Sequence, residues 1–464
     1  MSEGLERGLG LYSAVSLSMG AMIGGGIFVL PAVGYKKAGP AVIVAYLLAG
    51  LVVVPNALSK AEMATAMPED GGTYLYIDRA AGPLFGTIAG IGVWFSIVFK
   101  SAFALVGLGA YLLLFVSIPA GLVKGVALAL GGLVILLNIV GTEHSGKAQG
   151  ILVTLVVLVL GAYVVNATTV LDMTRYRPFV THGTGGVLTA AAFVFVSYAG
   201  IGEVASVAEE ITNPGRNLPL AMLISIGVMM VIYTAVVAVV VGIVPSDTLI
   251  HGGPAGGSSL TPMADGAGSL FGGVGVVVIS LAAVFALTSM ANAGVLGTSR
   301  FLLAMSRDSL LPDSLGRVDP RFLTPRNAVI VTGSVLLALI AFVPVINLAK
   351  LASAFLILVF SMENLSLIAF RESDLDFYEP EFTAPGYPFV QIAGVIGGVV
   401  FIVQMGTLSI LGAVGIIVAG LGWYLVYGRS RTDRVGALGV YLGNRGGDTE
   451  VVDETVVQPQ RQQD

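Results

Sequence analysis

The most unusual feature for ligand chemistry is a run of three glycines within an apolar stretch, GAMIGGGIFVLP at residues 20–31. Glycine costs about 1 kcal/mol relative to alanine inside a helix, so the run predicts an interruption of an apolar helix. An interrupted helix presents backbone N–H groups at one end, which favour an anion, and C=O groups at the other, which favour a cation. Together these ends suit a small zwitterion, and bare glycines let it approach the backbone closely.

A second glycine pair lies in FVFVSYAGIGEVASVAEEITNPGRNLP, residues 193–219, at Gly200 and Gly202. Either glycine cluster alone is also typical of close packing between membrane helices. Two clusters, each opening a block of five apolar segments, instead favour an inverted repeat. In such repeats, paired interrupted helices form the substrate site of a transporter.

The composition predicts a membrane protein with many spans. Hydrophobic residues make up 56% of the 464 residues and charged residues only 11%, whereas soluble domains are about a quarter charged. Apolar runs of about twenty residues recur along the chain, which predicts about twelve transmembrane helices. Their length excludes a β-barrel, whose strands are shorter and alternate in polarity.

The arrangement of the apolar segments divides the chain into five parts. The five-helix blocks predict two halves that enter the membrane from opposite sides, followed by two further spans. We expect a cytoplasmic N-terminus at 1–10, repeats at 11–170 and 187–371, two spans at 388–427 and a cytoplasmic, disordered tail at 428–464.

Lysine and arginine are concentrated in the loops on the side of the N-terminus, which predicts that both termini are cytoplasmic. The chain has no cysteine, which excludes disulfides and cysteine metal sites. We expect a multi-pass protein of the cell membrane, with the lipid bilayer and a small-molecule substrate as its partners. The sequence indicates no cofactor besides a coupling ion and no nucleic-acid binding, and it does not identify protein partners.

Three motifs resemble a known family. MGAMIGGGIFVLP at 19–31 is similar to the first-span signature of the amino acid–polyamine–organocation (APC) transporters. The resemblance continues in AEEITNPGRNLP at 208–219 and NAGVLGTSRFLLAMSRDSLLP at 292–312, and covers about residues 8–430. It implies the leucine-transporter fold, an all-α membrane protein with a 5+5 inverted repeat and broken helices 1 and 6. It also implies secondary active transport of amino acids or related amines by alternating access.

The resemblance implies a substrate site made mainly of backbone groups. The substrate carboxylate would meet the amides of the glycine run, and its amino group would meet carbonyls before that run and at the second interruption. Two aromatic residues would cover the ligand, although aromatic side chains in spans are often plain packing. The implied residues are Met19, Met22, Ile23, Gly24, Gly25, Gly26, Phe195, Ser197, Tyr198 and Gly200.

For the coupling ion, the resemblance leaves Na⁺ and H⁺ open. FALTSMANAG at 285–294 resembles the eighth span of sodium-coupled relatives, although a Ser/Thr pair is also explained by hydrogen bonds within its own helix. Some proton-coupled members carry a lysine in the fifth span, but here the aligned position is Val156. The implied Na⁺ ligands are the carbonyls of Gly20, Ile23 and Phe285 and the hydroxyls of Thr288 and Ser289.

Lys100 stands in the middle of an apolar span, where a charge costs at least about 2.5 kcal/mol. We expect it either to take part in proton coupling, to be fixed by Glu203 or Glu363, or to extend to the membrane surface. The resemblance further implies a cytoplasmic gate that includes Glu203, Glu209 and Arg300. For Glu209 and Arg300, a solvated helix end and a positive-inside anchor are the alternatives.

Other classes of protein fit the sequence less well. An ATP-driven pump would need a phosphate-binding loop, which is absent, and GIGEVA at 200–205 lacks the βαβ context of a dinucleotide site. Ser96 and Lys100 share one helix face, but no further groups support a hydrolase, so we expect no enzymatic activity. An amino acid exchanger, a passive facilitator and a polyamine or organic-cation transporter stay open.

Overall fold

The structure, a computed structural model, describes residues 9–67, 72–116, 122–141, 146–253, 256–319, 321–322, 324–373, 375–376, 378–432 and 434–446. Within these residues the fold is all-helical, with one isolated β-bridge between Leu9 and Ile211. The helices are α1 Leu11–Met22, α2 Gly25–Phe28, α3 Leu30–Ala38, α4 Val42–Ala66, α5 Gly72–Ala81, α6 Pro83–Leu112, α7 Val123–Val140, α8 Gly146–Ala167, α9 Gly183–Val194, α10 Ile201–Ala205, α11 Pro214–Ile243, α12 Ser246–His251, α13 Pro262–Arg307, α14 Arg326–Phe342, α15 Val345–Ser373, α16 Phe389–Gln404, α17 Thr407–Trp423 and α18 Ala437–Gly446.

Nine segments of the described chain are long and apolar enough to cross a membrane. They coincide with nine of the predicted spans. Three shorter apolar helices, α1, α14 and α16, lie at the remaining predicted positions. Length and composition therefore establish a multi-pass membrane protein, whereas the count of twelve spans belongs to the proposal below.

The glycine run lies at one helix interruption, and Gly200 follows directly after a second one, whereas Gly202 lies within α10. α1 ends at Met22 and α2 begins at Gly25, with extended backbone at Gly24 (φ 175°). In the second case α9 ends at Val194 and a 3₁₀ turn follows over Phe195–Tyr198 before α10 begins. Each interruption therefore exposes backbone groups in the interior of the protein.

The two interruptions lie directly against each other. A Cβ atom on Gly200 would lie 2.5 Å from the carbonyl carbon of Ala21, and one on Gly26 would lie 2.9 Å from the Cα of Ser197. Real Cβ atoms essentially never show contacts under 3.0 Å. The crossing of the two backbones therefore needs glycine at both positions.

The segment after α17 folds back onto α5, the short helix between α4 and α6. Arg434 Nη1 lies 2.9 Å from Asp308 Oδ1 at the end of α13, and Arg434 Nη2 lies 3.5 Å from Asp78 Oδ1 of α5. Gly436 packs on the backbone of Ala81, whose carbonyl carbon would lie 2.7 Å from a Cβ at this position. These contacts fasten the C-terminal segment to two other parts of the chain.

The structure corrects the prediction of a disordered tail over 428–464. Residues 437–446 form α18, which packs against α5 and α15. Ala437 and Val440 are buried and belong to the main hydrophobic core. This apolar burial stabilises the folded form of this part of the tail. Residues 447–464 lie outside the described residues.

We expect Arg434→Ala to lower the free energy of unfolding by about 2 kcal/mol, because it removes a partner from the buried carboxylate of Asp78. Burial raises the pKa of Asp78, while Arg434 and Arg79 lower it. Without Arg434 the folded-state pKa rises further. A carboxyl with a raised folded-state pKa loses stability as pH increases, so the deficit should be larger at about pH 8 than at about pH 5.

Thermal unfolding in detergent at both pH values measures this deficit. Arg429→Ala is the matched control, since Arg429 is exposed and forms no ion pair within the described residues. It should change neither the stability nor its dependence on pH. A deficit of equal size at both pH values would contradict the proposed role of Arg434.

Candidate functional site

The first turn after the glycine interruption presents an amide with a weak acceptor. The carbonyl of Gly24 accepts the first helical bonds of α2, from Ile27 and Phe28 at 3.1 Å. Gly25 is the first residue of α2, and its N–H donates to the Met290 sulfur at 3.4 Å. A thioether is a weak acceptor, so a carboxylate oxygen would be a stronger partner for this N–H.

Ser197 adds a buried hydroxyl beside Gly26. It is 3% exposed, and its Oγ has no hydrogen-bond partner among the described residues. The nearby Tyr46 hydroxyl donates to the carbonyl of Gly26, and its oxygen can still accept from the Ser197 hydroxyl. Buried polar atoms usually have a partner, so the Ser197 hydroxyl is available to a ligand beside Gly26.

A layer of buried tyrosines satisfies the carbonyl groups that the two interruptions expose. Each hydroxyl donates to a backbone oxygen at or beside the two interrupted segments, or to the backbone of a neighbouring tyrosine. The Tyr198 and Tyr46 rings both pack edge-on against Tyr233. The bonds run from Tyr46 to Gly26 at 2.6 Å, Tyr111 to Phe28 at 2.8 Å, Tyr233 to Met22 at 2.7 Å and to Ser197 at 3.0 Å, and Tyr198 to Tyr46 at 2.9 Å.

Ser353 of α15 holds the second interruption. Its hydroxyl donates to the carbonyl of Phe193 at 2.8 Å and accepts from the amide of Val196 at 3.2 Å. One side chain therefore replaces two bonds that a continuous helix would make. It also ties α15 to the interrupted segment.

All the residues predicted to bind substrate lie in the protein interior around the crossing. The carbonyl of Met19 still accepts a helical bond from Ile23, at 2.8 Å. The Phe195 ring packs edge-on against Phe360 and Phe401. Whether Phe195 and Tyr198 cover a ligand therefore stays a prediction.

Lys100 reaches the end of α1. Its ammonium donates to the carbonyl of Ala21 at 3.2 Å and is close enough to Glu203 to be attracted by it. Glu363, the other predicted partner, pairs instead with Lys60 at 3.0 Å. Lys100 is 6% exposed, so it does not extend to the membrane surface.

The residues predicted to bind Na⁺ are only partly brought together. Gly20, Ile23 and Ser289 line a small cavity of about 10 Å³ between α1, α8 and α13. Gln149 also lines it, and its Oε1 accepts from the Ser289 hydroxyl at 3.1 Å. The structure does not bring Thr288 into this cavity, because its side chain is exposed.

Two further positions bear on the choice of coupling ion. The side chain of Phe285 is 56% exposed, so of this residue the prediction concerns the carbonyl alone. Val156, where some proton-coupled relatives carry a lysine, lines the same small cavity. At this position of α8 the cavity is therefore lined by an apolar side chain.

The predicted gate residues lie near a set of buried charges. Glu203 is half-buried and faces the cations of Lys60, Lys100 and Arg300. Arg300 itself is exposed. The side chain of Glu209 lies outside the described residues, so its predicted role stays a prediction.

Nothing in the sequence pointed to Met290, Phe103 or Gln149, and of the tyrosines that serve the interruptions only Tyr198 was predicted. Phe103 lies so close to Gly25 that a Cβ there would be 2.7 Å from its ring. Met290 directly follows Ser289, but the rotation of α13 that aims it at Gly25 is not readable from spacing. A buried tyrosine in an apolar span was the one available signal, because its hydroxyl must find a partner.

Apolar helices that surround two crossed interruptions, with amides and a buried lysine at the crossing, are typical of membrane transporters. Residues 9–428 match the family model of the amino acid permeases. The chain belongs to this family of the APC superfamily, and its relatives are permeases and transporters.

Several relatives are similar over almost the whole chain. The branched-chain amino acid permease BcaP of Bacillus subtilis is 30% identical over 93% of this chain and 95% of its own length. BcaP of Lactococcus lactis subsp. cremoris is 31% identical over 90% and 93%. The methylthioribose transporter of Bacillus subtilis is 27% identical over 93% and 95%.

We expect Tyr233→Phe to abolish or strongly reduce uptake, because it leaves the buried carbonyls of Met22 and Ser197 without a donor. The loss of stability should be about 1–3 kcal/mol. Tyr176→Phe is the matched control, since the Tyr176 hydroxyl also donates to one carbonyl, that of Ala238 at 2.8 Å, away from the crossing. Uptake of labelled amino acid per folded molecule compares the two, and equal uptake would contradict the role of Tyr233.

Proposed function

We propose that this protein is a secondary active transporter that moves branched-chain amino acids across the cell membrane by alternating access. The substrate carboxylate binds the N–H groups of Gly25 and Gly26, and the Ser197 hydroxyl provides a further hydrogen bond. The observation that carries this proposal is the Gly25 N–H, whose present acceptor is the Met290 sulfur. Binding replaces a weak acceptor with a charged one.

The side chains beside the glycine run favour an apolar substrate. Those nearest to Gly24, Gly25 and Gly26 belong to Met290, Phe103 and Ser197, none of which is acidic. A polyamine or organic cation would need a carboxylate at this place, so these substrates are disfavoured. Two of the relatives described above carry the name branched-chain amino acid permease, which supports the same substrate class.

The proposal includes twelve spans in a 5+5 inverted repeat followed by two helices, with both termini cytoplasmic. The amide of Thr212 donates to the carbonyl of Leu9 at 2.9 Å, so the N-terminal segment lies on the same side as the end of the sixth span. Arg434 pairs with Asp78 between the second and third spans. Both contacts agree with termini on one side of the membrane.

We favour a proton over Na⁺ as the coupling ion. The end of α1 carries a partial negative charge that favours a cation, and the ammonium of Lys100 already occupies it. When Lys100 releases its proton, its attraction to the Ala21 carbonyl and to Glu203 weakens, which frees α1 to move. A Na⁺ site in the small cavity would lack the hydroxyl of Thr288 as a ligand. The side chain of Gln149 also lines this cavity and takes up part of the space that the ion would need.

We expect Gly25→Leu to abolish leucine uptake per folded and inserted molecule, because the added side chain fills the space before the amides and must displace the Phe103 ring, which a Cβ would approach to 2.7 Å. Gly227→Leu is the matched control, since a Cβ at Gly227 of α11 meets open space. Uptake of labelled leucine into proteoliposomes measures both variants. Near-normal transport by Gly25→Leu would overturn the proposed site.

For coupling, we expect Lys100→Met to abolish accumulation driven by a proton gradient. Lys124→Met is the control, because Lys124 also donates to a backbone carbonyl, that of Ala341 at 3.2 Å. It should accumulate leucine normally, as should Thr288→Val. Measurement in proteoliposomes under separate H⁺ and Na⁺ gradients decides between the ions. Accumulation by the unmodified chain that requires Na⁺ would contradict the assignment, and a lack of accumulation would indicate an exchanger or facilitator.

A further inference from the structure

Two lysines from different helices converge on one aromatic ring. Lys37 lies at the end of α3 and Lys350 near the start of α15. Their ammonium groups lie 5.6 Å and 5.9 Å from the centroid of the Phe193 ring of α9. Phe193 is 2% exposed, whereas both lysines are half-buried.

Neither lysine has a counter-charge among the described residues. The ammonium of Lys37 repels that of Lys350, and neither forms a salt bridge in the described part of the chain. Three carboxylates that the proposed topology places on the same side of the membrane already have partners. Asp172 pairs with Arg175, Asp247 with His251, and Asp265 accepts a hydrogen bond from Ser259. Two like charges held together raise the local positive potential, which a bound anion would relieve.

This lysine pair is directly connected to the crossing of the interrupted helices. Lys350 and Ser353 are three residues apart on α15, so they lie on the same helix face. Ser353 donates to the carbonyl of Phe193, the residue whose ring both lysines contact. Ser197 follows four residues later and lies against Gly26. The two lysines are therefore linked to the proposed substrate site through the Ser353 hydrogen bond and the backbone of the second interruption.

We propose that Lys37 and Lys350 form an outer anion subsite that holds the carboxylate of the incoming amino acid before it reaches Gly25 and Gly26. This inference rests on the proposed function and adds to it a recruiting step on the outer side. Phe193 separates the subsite from the central site. A phosphate group of a lipid is the other source of the same anionic chemistry.

The test is the KM for leucine uptake in a charge series at position 350. Lys350→Met should raise KM about threefold, since a unit charge about 6 Å away in water contributes that factor. Lys350→Glu should raise it about tenfold, because repulsion replaces attraction. Lys350→Arg should keep the KM of the unmodified chain, and the maximal rate should stay within a factor of about two throughout. Lys37→Met should behave as Lys350→Met does.

Lys36→Met is the matched control, because Lys36 is the exposed neighbour of Lys37 on the same helix. It should leave KM unchanged. In about 1 M salt, where the screening length is about 3 Å, the differences between the charge variants should disappear. Equal effects of the Met and Glu variants at position 350, or an equal effect of Lys36→Met, would overturn the subsite.

Vesicle composition separates the two sources of the anion. In vesicles of phosphatidylcholine alone, the KM differences should persist if the substrate carboxylate is the ligand. Differences that appear only when phosphatidylglycerol is added would assign the lysines to lipid phosphate and overturn the proposal. Leucine uptake with unchanged KM in every variant would overturn the subsite alone, whereas a lack of leucine uptake by the unmodified chain would overturn the proposed function together with it.

Discussion

Backbone groups that lose their helical partners inside a membrane must be satisfied by other groups, because lipid offers no hydrogen bonds. The interruptions at Gly24 and at Phe195–Tyr198 create such groups in the interior of this protein. The carbonyls of Gly26, Met22 and Ala21 are bonded to tyrosine hydroxyls or to Lys100. The amide of Gly25 is left with a weak acceptor, and this imbalance is what a substrate carboxylate would correct.

The same constraint explains why the polar residues of the interior come from many different helices. Tyr46, Lys100 and Tyr233 belong to α4, α6 and α11, and each bonds to the interrupted segments. A shift of α1 relative to α6 would break the bond between Lys100 and Ala21. In the proposed mechanism, this contact links the movement of the interrupted helix to the charge on one buried lysine.

The sequence predicted the family, the long apolar helices and the interruption at the first glycine run, because apolar runs and glycine clusters are local signals. The second interruption lies at Phe195–Tyr198, just before the glycine pair that indicated it. It did not predict that Met290 or Phe103 would face Gly25, since the rotation of a long helix about its axis is set by packing. Thr288 illustrates the same limit, because a helix places it one residue away from Ser289 on a different, exposed face. The folded part of the tail was missed because Arg434 and Gly436 find their partners only in the tertiary structure.

The central claim is that the amides of the glycine interruption bind the substrate carboxylate in place of the Met290 sulfur. The most direct test is an experimental structure of the protein with leucine bound. The account predicts carboxylate oxygens within hydrogen-bonding distance of the Gly25 and Gly26 amides and a Met290 side chain that has moved away. Leucine bound elsewhere, with the Met290 sulfur still at the Gly25 amide, would contradict it.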